Sequence, residues 1–213
     1  MEQAEVLIMN ILRWMDLDEL MEEDLYDAID HGELVGRLAN MMCLQLGCPI
    51  EFQRIIVQAA YLHDIGKLKL SKNLYGRDKN ALQIEEAKYM RMHAKLGSDM
   101  LRQCGYCEEI CLAVYHHHEN YDGSGYPENL EGENIPLTAR ILKVCDVFAA
   151  LISDRPYRRG FEMDKALELM IEDHKVFDMK IFLEFLKIYN SNAFKNIVEF
   201  SRHINSKKRY TQK

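Results

Sequence analysis

Apolar residues recur at helical spacing along almost the whole of this 213-residue chain. In the segment 50–65, Phe52, Ile55, Ala59 and Leu62 fall on one face of a helix with about 3.6 residues per turn. No segment sustains the alternation of apolar and polar residues that a half-buried strand requires. The pattern predicts an all-α protein, a single helical bundle with no significant β-sheet.

Glycine and proline indicate where the helices end, because glycine adopts the left-handed conformation of a C-terminal cap and proline cannot continue a helix. Together with the apolar spacing, they predict helices over about 23–46, 50–65, 84–104 and 137–152, and others beginning near 108, 164, 178 and 192. The stretch 67–82 is predicted to be a loop with a short turn. The expected division is an N-terminal helix over 1–22 that packs on the domain, a main domain over 23–205, and a basic, disordered tail over 206–213.

Composition restricts the partners of the chain. A formal net charge of −7 argues against general binding to DNA or RNA, which requires a basic face. The N-terminus has no basic region before its apolar run, and no apolar stretch approaches the roughly 18 residues that span a membrane. The six cysteines are expected to be reduced thiols. We therefore expect a cytoplasmic protein with neither a nucleic-acid polymer nor a membrane as partner, and its oligomeric state is left open.

Three ionisable groups stand where apolar residues would be expected. His63 and Asp64 end the most apolar predicted helix, and Asp146 lies in the middle of another apolar helix. A carboxylate in such a place costs several kcal/mol unless it is paired or binds a metal. These positions therefore indicate a binding site in which something requires the charge.

Further candidate ligands lie on the other predicted helices. Asp27 and His31 are four residues apart and share a helix face, His93 lies on the predicted helix 84–104, and His117 and His118 end the helix after it. Adjacent residues on a helix point about 100° apart, so paired ligands suit two neighbouring metals better than one.

The motifs occur in a fixed order. They are HDIGK at 63–67, HAKLG at 93–97, HHENYDGSGYP at 117–127, Asp146, and RPYR at 155–158. This ordered set resembles the HD-GYP domains, a branch of the HD phosphohydrolase superfamily, over roughly residues 24–190. A lone His-Asp pair would be weak support, whereas the complete set is highly specific.

The resemblance implies an all-helical domain that hydrolyses the bacterial second messenger cyclic di-GMP at a site of two or three divalent metals, commonly iron or manganese. It assigns the metal ligands to His31, His63, Asp64, His93, His117, His118 and Asp146, with Asp64 bridging the ions. The carboxylate for an optional third metal falls on Asp27, where glutamate is usual in three-metal members, so the shorter side chain disfavours a third ion.

The chemistry of these residues agrees with the resemblance. Imidazoles and carboxylates without a thiolate suit iron, manganese or zinc. Two such ions lower the pKa of a bridging water, and the resulting hydroxide attacks phosphorus to give linear pGpG, with GMP left open as a further product. Asp64 fixes the separation of the metals, and Lys67, one turn past His63, is predicted to contact the phosphate and assist catalysis.

The resemblance and the residue types also predict the contacts to the substrate. Arg155 and Arg158 are assigned to substrate binding, because a guanidinium group recognises phosphate or a guanine edge with two parallel hydrogen bonds. Asp122 and Gly123 are predicted to turn the chain over the site, and Tyr126 is predicted either to contact the ligand or to pack on the core. Glu119 is predicted to orient the histidine rings.

Departures from the family pattern leave two other functions open. Leu70-Ser71 replaces a common Ile-Pro, the stretch NLYGRDKNAL replaces the usual loop, and Ala149 replaces a common aspartate. One alternative is a phosphohydrolase for another cyclic dinucleotide or a nucleotide. The other is a catalytically slow module that binds cyclic di-GMP and captures a signalling protein as partner.

Overall fold

The computed structural model describes residues 6–11, 22–74, 89–154 and 158–211, without the side chains of 22–27, 71–74 and 207–211. Residues 6–11 are helical. The remaining described ranges contain nine longer α-helices: α1 (Glu22–Leu46), α2 (Ile50–Leu62), α3 (Ile65–Leu74), α4 (His93–Gln103), α5 (Glu108–His116), α6 (Leu137–Ile152), α7 (Met163–Glu172), α8 (Met179–Tyr189) and α9 (Lys195–Thr211). Three 3-10 helices lie at Gly132–Asn134, His174–Val176 and Asn192–Phe194.

The all-α prediction is confirmed, since the described ranges contain no strand or sheet. The predicted bounds of α6 agree with the structure, and α1 begins one residue earlier than predicted. None of the described helices is long and apolar enough to cross a membrane. The division of the chain between residues 22 and 23 and between 205 and 206 stays a prediction.

Two local predictions were wrong. The stretch 67–74, expected to be a loop, belongs to α3, where Leu68 and Leu70 are both buried. The backbone of 206–211, expected to be disordered, continues α9. The stretch 75–88, which includes the rest of the predicted loop, lies outside the described residues.

Helix α1 lies at the centre of the fold and packs against α2, α6, α8 and α9. Leu34, Leu38 and Met42 on α1 are fully buried. Phe148 of α6 lies 5.1 Å from Phe185 of α8, measured between ring centroids. Full burial of each large apolar side chain stabilises the fold by about 1.5–3 kcal/mol, so this core fixes α1 and α6 relative to each other.

Glycine allows the close helix crossings that bring the polar residues together. A Cβ atom at Gly66 on α3 would lie 2.1 Å from the carbonyl oxygen of His93 at the start of α4. A Cβ atom at Gly32 on α1 would lie 2.7 Å from the carbonyl oxygen of Tyr61 on α2. Both crossings place backbone against backbone, next to His31, His63 and Asp64 in the sequence.

Candidate metal centre

Seven ionisable side chains from five parts of the fold converge in the interior. They come from the middle of α1, the turn after α2, the first residue of α4, the turn after α5 and the middle of α6: His31, His63, Asp64, His93, His117, His118 and Asp146. His118 is half-buried and the other six are buried. These are the seven residues that the sequence assigned to metal binding, and the fold brings them all to one place.

The two carboxylate oxygens of Asp64 face different histidines. Oδ1 lies 3.4 Å from Nε2 of His93 and 4.0 Å from Nε2 of His117. Oδ2 lies 3.4 Å from Nε2 of His63 and 3.9 Å from Nε2 of His31. A carboxylate placed between two sets of imidazole nitrogens is suited to bridge two cations.

Asp146 lies on the side of the centre nearest α1. Its Oδ1 atom lies 3.0 Å from Nε2 of His31 and 3.5 Å from Nε2 of His63. Both histidines also face Oδ2 of Asp64, so one half of the centre contains two imidazoles and two carboxylates.

Backbone carbonyl groups orient three of the histidine rings. Nδ1 of His63 lies 2.7 Å from the carbonyl oxygen of Ala60, and His93 and His117 make the same contact, at 2.6 Å each, with the carbonyl three residues earlier. A carbonyl oxygen only accepts, so Nδ1–H donates in each case, and the neutral ring then presents the Nε2 lone pair to the centre.

This tautomer requires a cation between the rings. Nε2 of His93 lies 3.3 Å from Nε2 of His117 and 3.1 Å from Nε2 of His118. When Nδ1 carries the proton, the facing Nε2 atoms of His93 and His117 are both acceptors, and their lone pairs repel. A metal ion removes the conflict, because neutral imidazole nitrogen is a common metal ligand.

Unpaired buried atoms support the same conclusion. Nε2 of His63 and Oδ1 of Asp64 have no hydrogen-bond partner within the described structure, although such atoms are normally paired. Two sets of ligand atoms lie close enough to hold an ion, one from Asp64, His93, His117 and His118 and the other from His31, His63 and Asp64. The donor set fits divalent metal ions, and Asp64 belongs to both sets.

The charges of the centre shift its pKa values strongly. Burial alone would lower the pKa of His63, but the nearby Asp64 and Asp146 carboxylates outweigh it and raise that pKa to about 10. Burial alone would raise the pKa of Asp64, but Lys67 and His63 hold it well below its usual value. Burial lowers the pKa of His118 to about 3. The carboxylates are therefore ionised and most of the imidazoles are neutral, as metal ligands must be.

Lys67 lies at the edge of this centre. Its Nζ atom donates a hydrogen bond of 2.5 Å to Oδ2 of Asp64, and its side chain is 37% exposed. The ammonium group thus lies between the shared carboxylate and the solvent, where an anionic substrate can reach it.

The loop that follows His118 is held by side-chain hydrogen bonds. The carboxylate of Glu119 accepts hydrogen bonds from the backbone N–H groups of Glu128, at 2.7 Å, and Leu130, at 3.1 Å. Oδ1 of Asp122 accepts from the backbone N–H of Ser124 at 3.0 Å and from its hydroxyl at 2.6 Å. Glu119 therefore anchors the loop instead of contacting the ring nitrogens that face the centre, where the carbonyl groups have the orienting role.

Gly123 and Tyr126 shape the rim of the centre. Gly123 has a φ of +79°, which favours glycine. The ring of Tyr126 stacks on His118 with 4.7 Å between centroids and 23° between planes. Burial and the charges of Asp64 and Asp146 raise the pKa of the Tyr126 hydroxyl.

Of three other predicted site residues, one is bound elsewhere and two lie outside the described residues. The guanidinium group of Arg158 donates hydrogen bonds of 3.0 and 3.2 Å to the carbonyl oxygens of Ala150 and Leu151, in the last turn of α6. Arg155 and the side chain of Asp27 lie outside the described residues. Arg91, which carried no prediction, lies at the rim with its guanidinium carbon 5.1 Å from the centroid of the Tyr126 ring. Its position two residues before His93 is the one feature of the sequence that could have indicated a place at the rim.

A family model described as HD domain matches residues 17–181. The protein named cyclic di-GMP phosphodiesterase response regulator RpfG, from Xanthomonas campestris pv. campestris (strain 8004), is 40% identical over 149 residues, which are 68% of this chain and 39% of that protein. The protein named 3'3'-cGAMP-specific phosphodiesterase 3, from Vibrio cholerae serotype O1, is 32% identical over 161 residues, which are 75% of this chain and 35% of that protein. This chain therefore spans less than half the length of each relative.

A solved structure of a cyclic GMP-AMP specific phosphodiesterase from Vibrio cholerae (V-cGAP3) has a similar architecture. It matches with a TM-score of 0.64 and 17% sequence identity, and the match covers 94% of this chain and 52% of the other. At this level of identity the similarity shows a shared helical fold.

Proposed function

The chain belongs to the HD domain family and to its HD-GYP branch, and on this premise we propose that it is a metal-dependent phosphodiesterase that hydrolyses cyclic di-GMP. The product is linear pGpG, with GMP as the product of a second cleavage. The 40% identical relative is named as a cyclic di-GMP phosphodiesterase, which supports this choice of substrate. The substrate is a bacterial second messenger, so the proposal locates the reaction in the cytoplasm of a bacterium.

One observation carries the proposal: each oxygen of Asp64 faces its own pair of histidine Nε2 atoms. The arrangement favours two ions, held by His31, His63 and Asp146 on one side and by His93, His117 and His118 on the other, with Asp64 shared. Imidazole and carboxylate ligands without thiolate favour iron or manganese. Ions bound in this way supply Lewis-acid polarisation of the phosphodiester and activation of water.

The chain's own residues set the geometry of the reaction. Asp64 and Asp146 would balance the positive charge of the bound ions. Lys67 and His63 hold the pKa of Asp64 well below its usual range, and hydrogen bonds with His31 and His63 do the same for the pKa of Asp146, so both carboxylates stay ionised. Lys67 places an ammonium group beside the shared carboxylate, where it attracts a phosphate oxygen and offsets charge that builds up during attack.

The rim completes the substrate site. We assign contacts with the dinucleotide to Lys67, to the turn at Asp122 and Gly123, and to the edge of Tyr126. Glu119 maintains the position of this loop through its two backbone hydrogen bonds. Of the two arginines that the sequence assigned to the substrate, Arg155 keeps that role in the proposal, and Arg158 stabilises the end of α6.

The direct test is turnover by protein purified without oxygen. The protein is loaded separately with iron and manganese, its metal content is measured, and the same samples are mixed with cyclic di-GMP before the nucleotides are separated. We expect pGpG to form with about two ions bound per chain. An Asp64→Ala variant treated identically is the control for contaminating activity. Absence of conversion with both metals under anaerobic conditions would contradict the proposal.

A second substrate is favoured by one finding, the 32% identical relative named as specific for 3'3'-cGAMP. Parallel assays with cyclic di-GMP, 3'3'-cGAMP and nucleoside monophosphates separate the two substrates. Tight binding of cyclic di-GMP without turnover, together with capture of a partner protein, would instead indicate a slow binding module.

A further inference from the structure

The Tyr126 ring is covered on both faces. His118 stacks on one face with 4.7 Å between ring centroids. The guanidinium carbon of Arg91 lies over the ring at 5.1 Å from its centroid, and it has to occupy the opposite face because His118 fills the first. A base of the substrate therefore has no free face of Tyr126 on which to stack.

The guanidinium group of Arg91 is available to a ligand. The residue is exposed, and the described part of the chain offers it neither a carboxylate nor a carbonyl partner. A guanidinium group over an aromatic ring is attracted to it and held in place, while its N–H groups stay free for hydrogen bonding. Arg91 thus combines a fixed position with unused donors at the rim of the metal centre.

Arg158 lacks this freedom. Its two terminal nitrogens donate to the carbonyl oxygens of Ala150, Leu151 and Arg159, and its guanidinium carbon lies 4.7 Å from the centroid of the Phe161 ring. Binding a ligand with both nitrogens would leave carbonyl groups at the end of α6 without their donors. Among the arginines of known side-chain position, Arg91 is the one stacked on a residue of the rim.

The spacing of the stack indicates which part of the substrate Arg91 reaches. Two layers, of 4.7 and 5.1 Å, separate its guanidinium group from the His118 ring. In the proposed reaction, the phosphate that is hydrolysed is bound at the metals, towards which Nε2 of His118 points in the plane of its ring. A base of the same nucleotide extends outward from that phosphate, so the base is the part that comes near Arg91.

We propose that Arg91 determines specificity by binding the O6 and N7 edge of one guanine of the substrate. This inference rests on the proposed function, because it concerns the dinucleotide bound at the same centre. Both atoms of that edge are acceptors, and an arginine fork donates to them with two parallel hydrogen bonds. Adenine presents an amino donor in place of O6, so it leaves one donor of the arginine unpaired.

Arg91→Met and Arg91→Lys test the proposal. For each variant, kcat/KM is measured with cyclic di-GMP and with bis(p-nitrophenyl) phosphate, a diester without a base, and dissociation constants for cyclic di-GMP and cyclic di-AMP are measured by calorimetry. We expect about 10- to 100-fold loss in kcat/KM and in affinity for cyclic di-GMP. Affinity for cyclic di-AMP should fall less than that for cyclic di-GMP, because adenine offers only N7 to the arginine. Hydrolysis of the simple diester and metal content should stay unchanged. Lysine should fail to restore the loss, because it lacks the fork.

Lys95→Met is the matched control, since Lys95 is an exposed cation two residues after His93 on the same helix. Equal loss of affinity for both dinucleotides in the Arg91 variants would show a phosphate contact and overturn the proposal. Loss of simple diester hydrolysis or of metal in the Arg91 variants would show that Arg91 acts through Tyr126 and His118, which would also overturn the proposal. Unchanged affinities for both dinucleotides would reject it as well. If the wild type hydrolyses the simple diester but not cyclic di-GMP, the proposed function fails, and the two dissociation constants still decide the role of Arg91.

Discussion

Lys67 Nζ lies 2.5 Å from Oδ2 of Asp64, the carboxylate oxygen that also faces His31 and His63. The two residues are three positions apart and touch, yet their chemistry differs. Asp64 supplies lone pairs to a metal, whereas a protonated ammonium group supplies only donors. Substitution of each residue should therefore separate metal binding from the rate of hydrolysis.

We expect Asp64→Ala to lose both metal and activity, because it removes the ligand common to both sets of histidines. Lys67→Ala should keep its metal and lose roughly 100-fold in kcat/KM, as expected when one preorganised charge at the reacting group is removed. Metal analysis and turnover on the same samples measure the two effects. Lys69→Ala, which removes an exposed cation from the same helix, is the control. Equal metal loss in the Asp64 and Lys67 variants would contradict these roles.

The metal-free protein should lose stability as the pH rises above neutrality. The folded-state pKa of His63 is about 10, above the ordinary value of 6.5. Its contribution to stability is therefore complete below about pH 6.5 and is lost progressively as the pH rises towards 10. The other histidines of the centre have lowered pKa values, so they do not change the pH dependence of stability between about pH 6.5 and 10. They are His31, His93, His117 and His118.

Urea unfolding of chelator-treated protein between about pH 7 and pH 9 measures this effect. His63→Gln should flatten the decline, and His174→Gln, a change at a distant exposed histidine, should leave it as in the wild type. A decline of unchanged slope in the His63 variant would assign the pH dependence to other groups.

Gly66→Ala should destabilise the fold and weaken metal binding together. Its Cβ atom would lie 2.1 Å from the carbonyl oxygen of His93, a backbone atom that can move only with α4. We expect a loss of about 1–3 kcal/mol in the free energy of unfolding. Gly97→Ala, whose Cβ atom would meet its nearest neighbours at 3.3 Å, should cost less. Thermal unfolding and metal titration of both variants check that Gly66→Ala loses more stability and more metal affinity than Gly97→Ala.

Glu119→Gln should loosen the rim and leave the metals in place. The buried carboxylate accepts from the backbone N–H groups of Glu128 and Leu130, and a glutamine retains one acceptor oxygen for the two donors. We expect a loss of about 1–3 kcal/mol in stability and a higher KM for cyclic di-GMP. Glu128→Gln is the control, because that side chain is exposed. Metal loss in Glu119→Gln without a change in KM would argue for direct orientation of the histidines.

Arg158→Met should lower stability without changing KM. Its three hydrogen bonds to carbonyl oxygens hold the segment after α6, and their loss should cost about 1–2 kcal/mol. Arg159→Met, at the exposed neighbouring position, should leave both quantities unchanged. A raised KM at unchanged stability would return Arg158 to the substrate-binding role that the sequence suggests.

Much of the fold could be predicted because its helices are long and amphipathic. The spacing of apolar residues indicated α1 and α6, and ionisable groups in apolar helices singled out His63, Asp64 and Asp146. The full set of seven candidate ligands could be named because the ordered motifs resemble those of the HD-GYP domains. Helix α3 was missed, since a pattern of lysines and leucines is compatible with a loop until Leu68 and Leu70 are seen to be buried.

Tertiary contacts were beyond what the sequence pattern could show. Arg91 and Tyr126 are 35 positions apart, and no local periodicity relates them. The hydrogen bonds of Arg158 depend on how the chain folds back after α6, so the composition of the RPYR motif does not distinguish a phosphate contact from a helix cap. The orienting role assigned to Glu119 stays a prediction, and its hydrogen bonds to the loop could not be foreseen, since their donors are peptide N–H groups, which every sequence contains.

Backbone carbonyl groups three residues earlier orient the rings of His63, His93 and His117. This has a consequence for evolution and engineering. A peptide oxygen survives every substitution that preserves the local helix end, so drift in neighbouring side chains leaves the imidazole directions intact. The lining of the pocket can then diverge towards new substrates or metals without rebuilding the ligand frame. The same short helix-end segments are portable units for introducing oriented histidines into designed bundles.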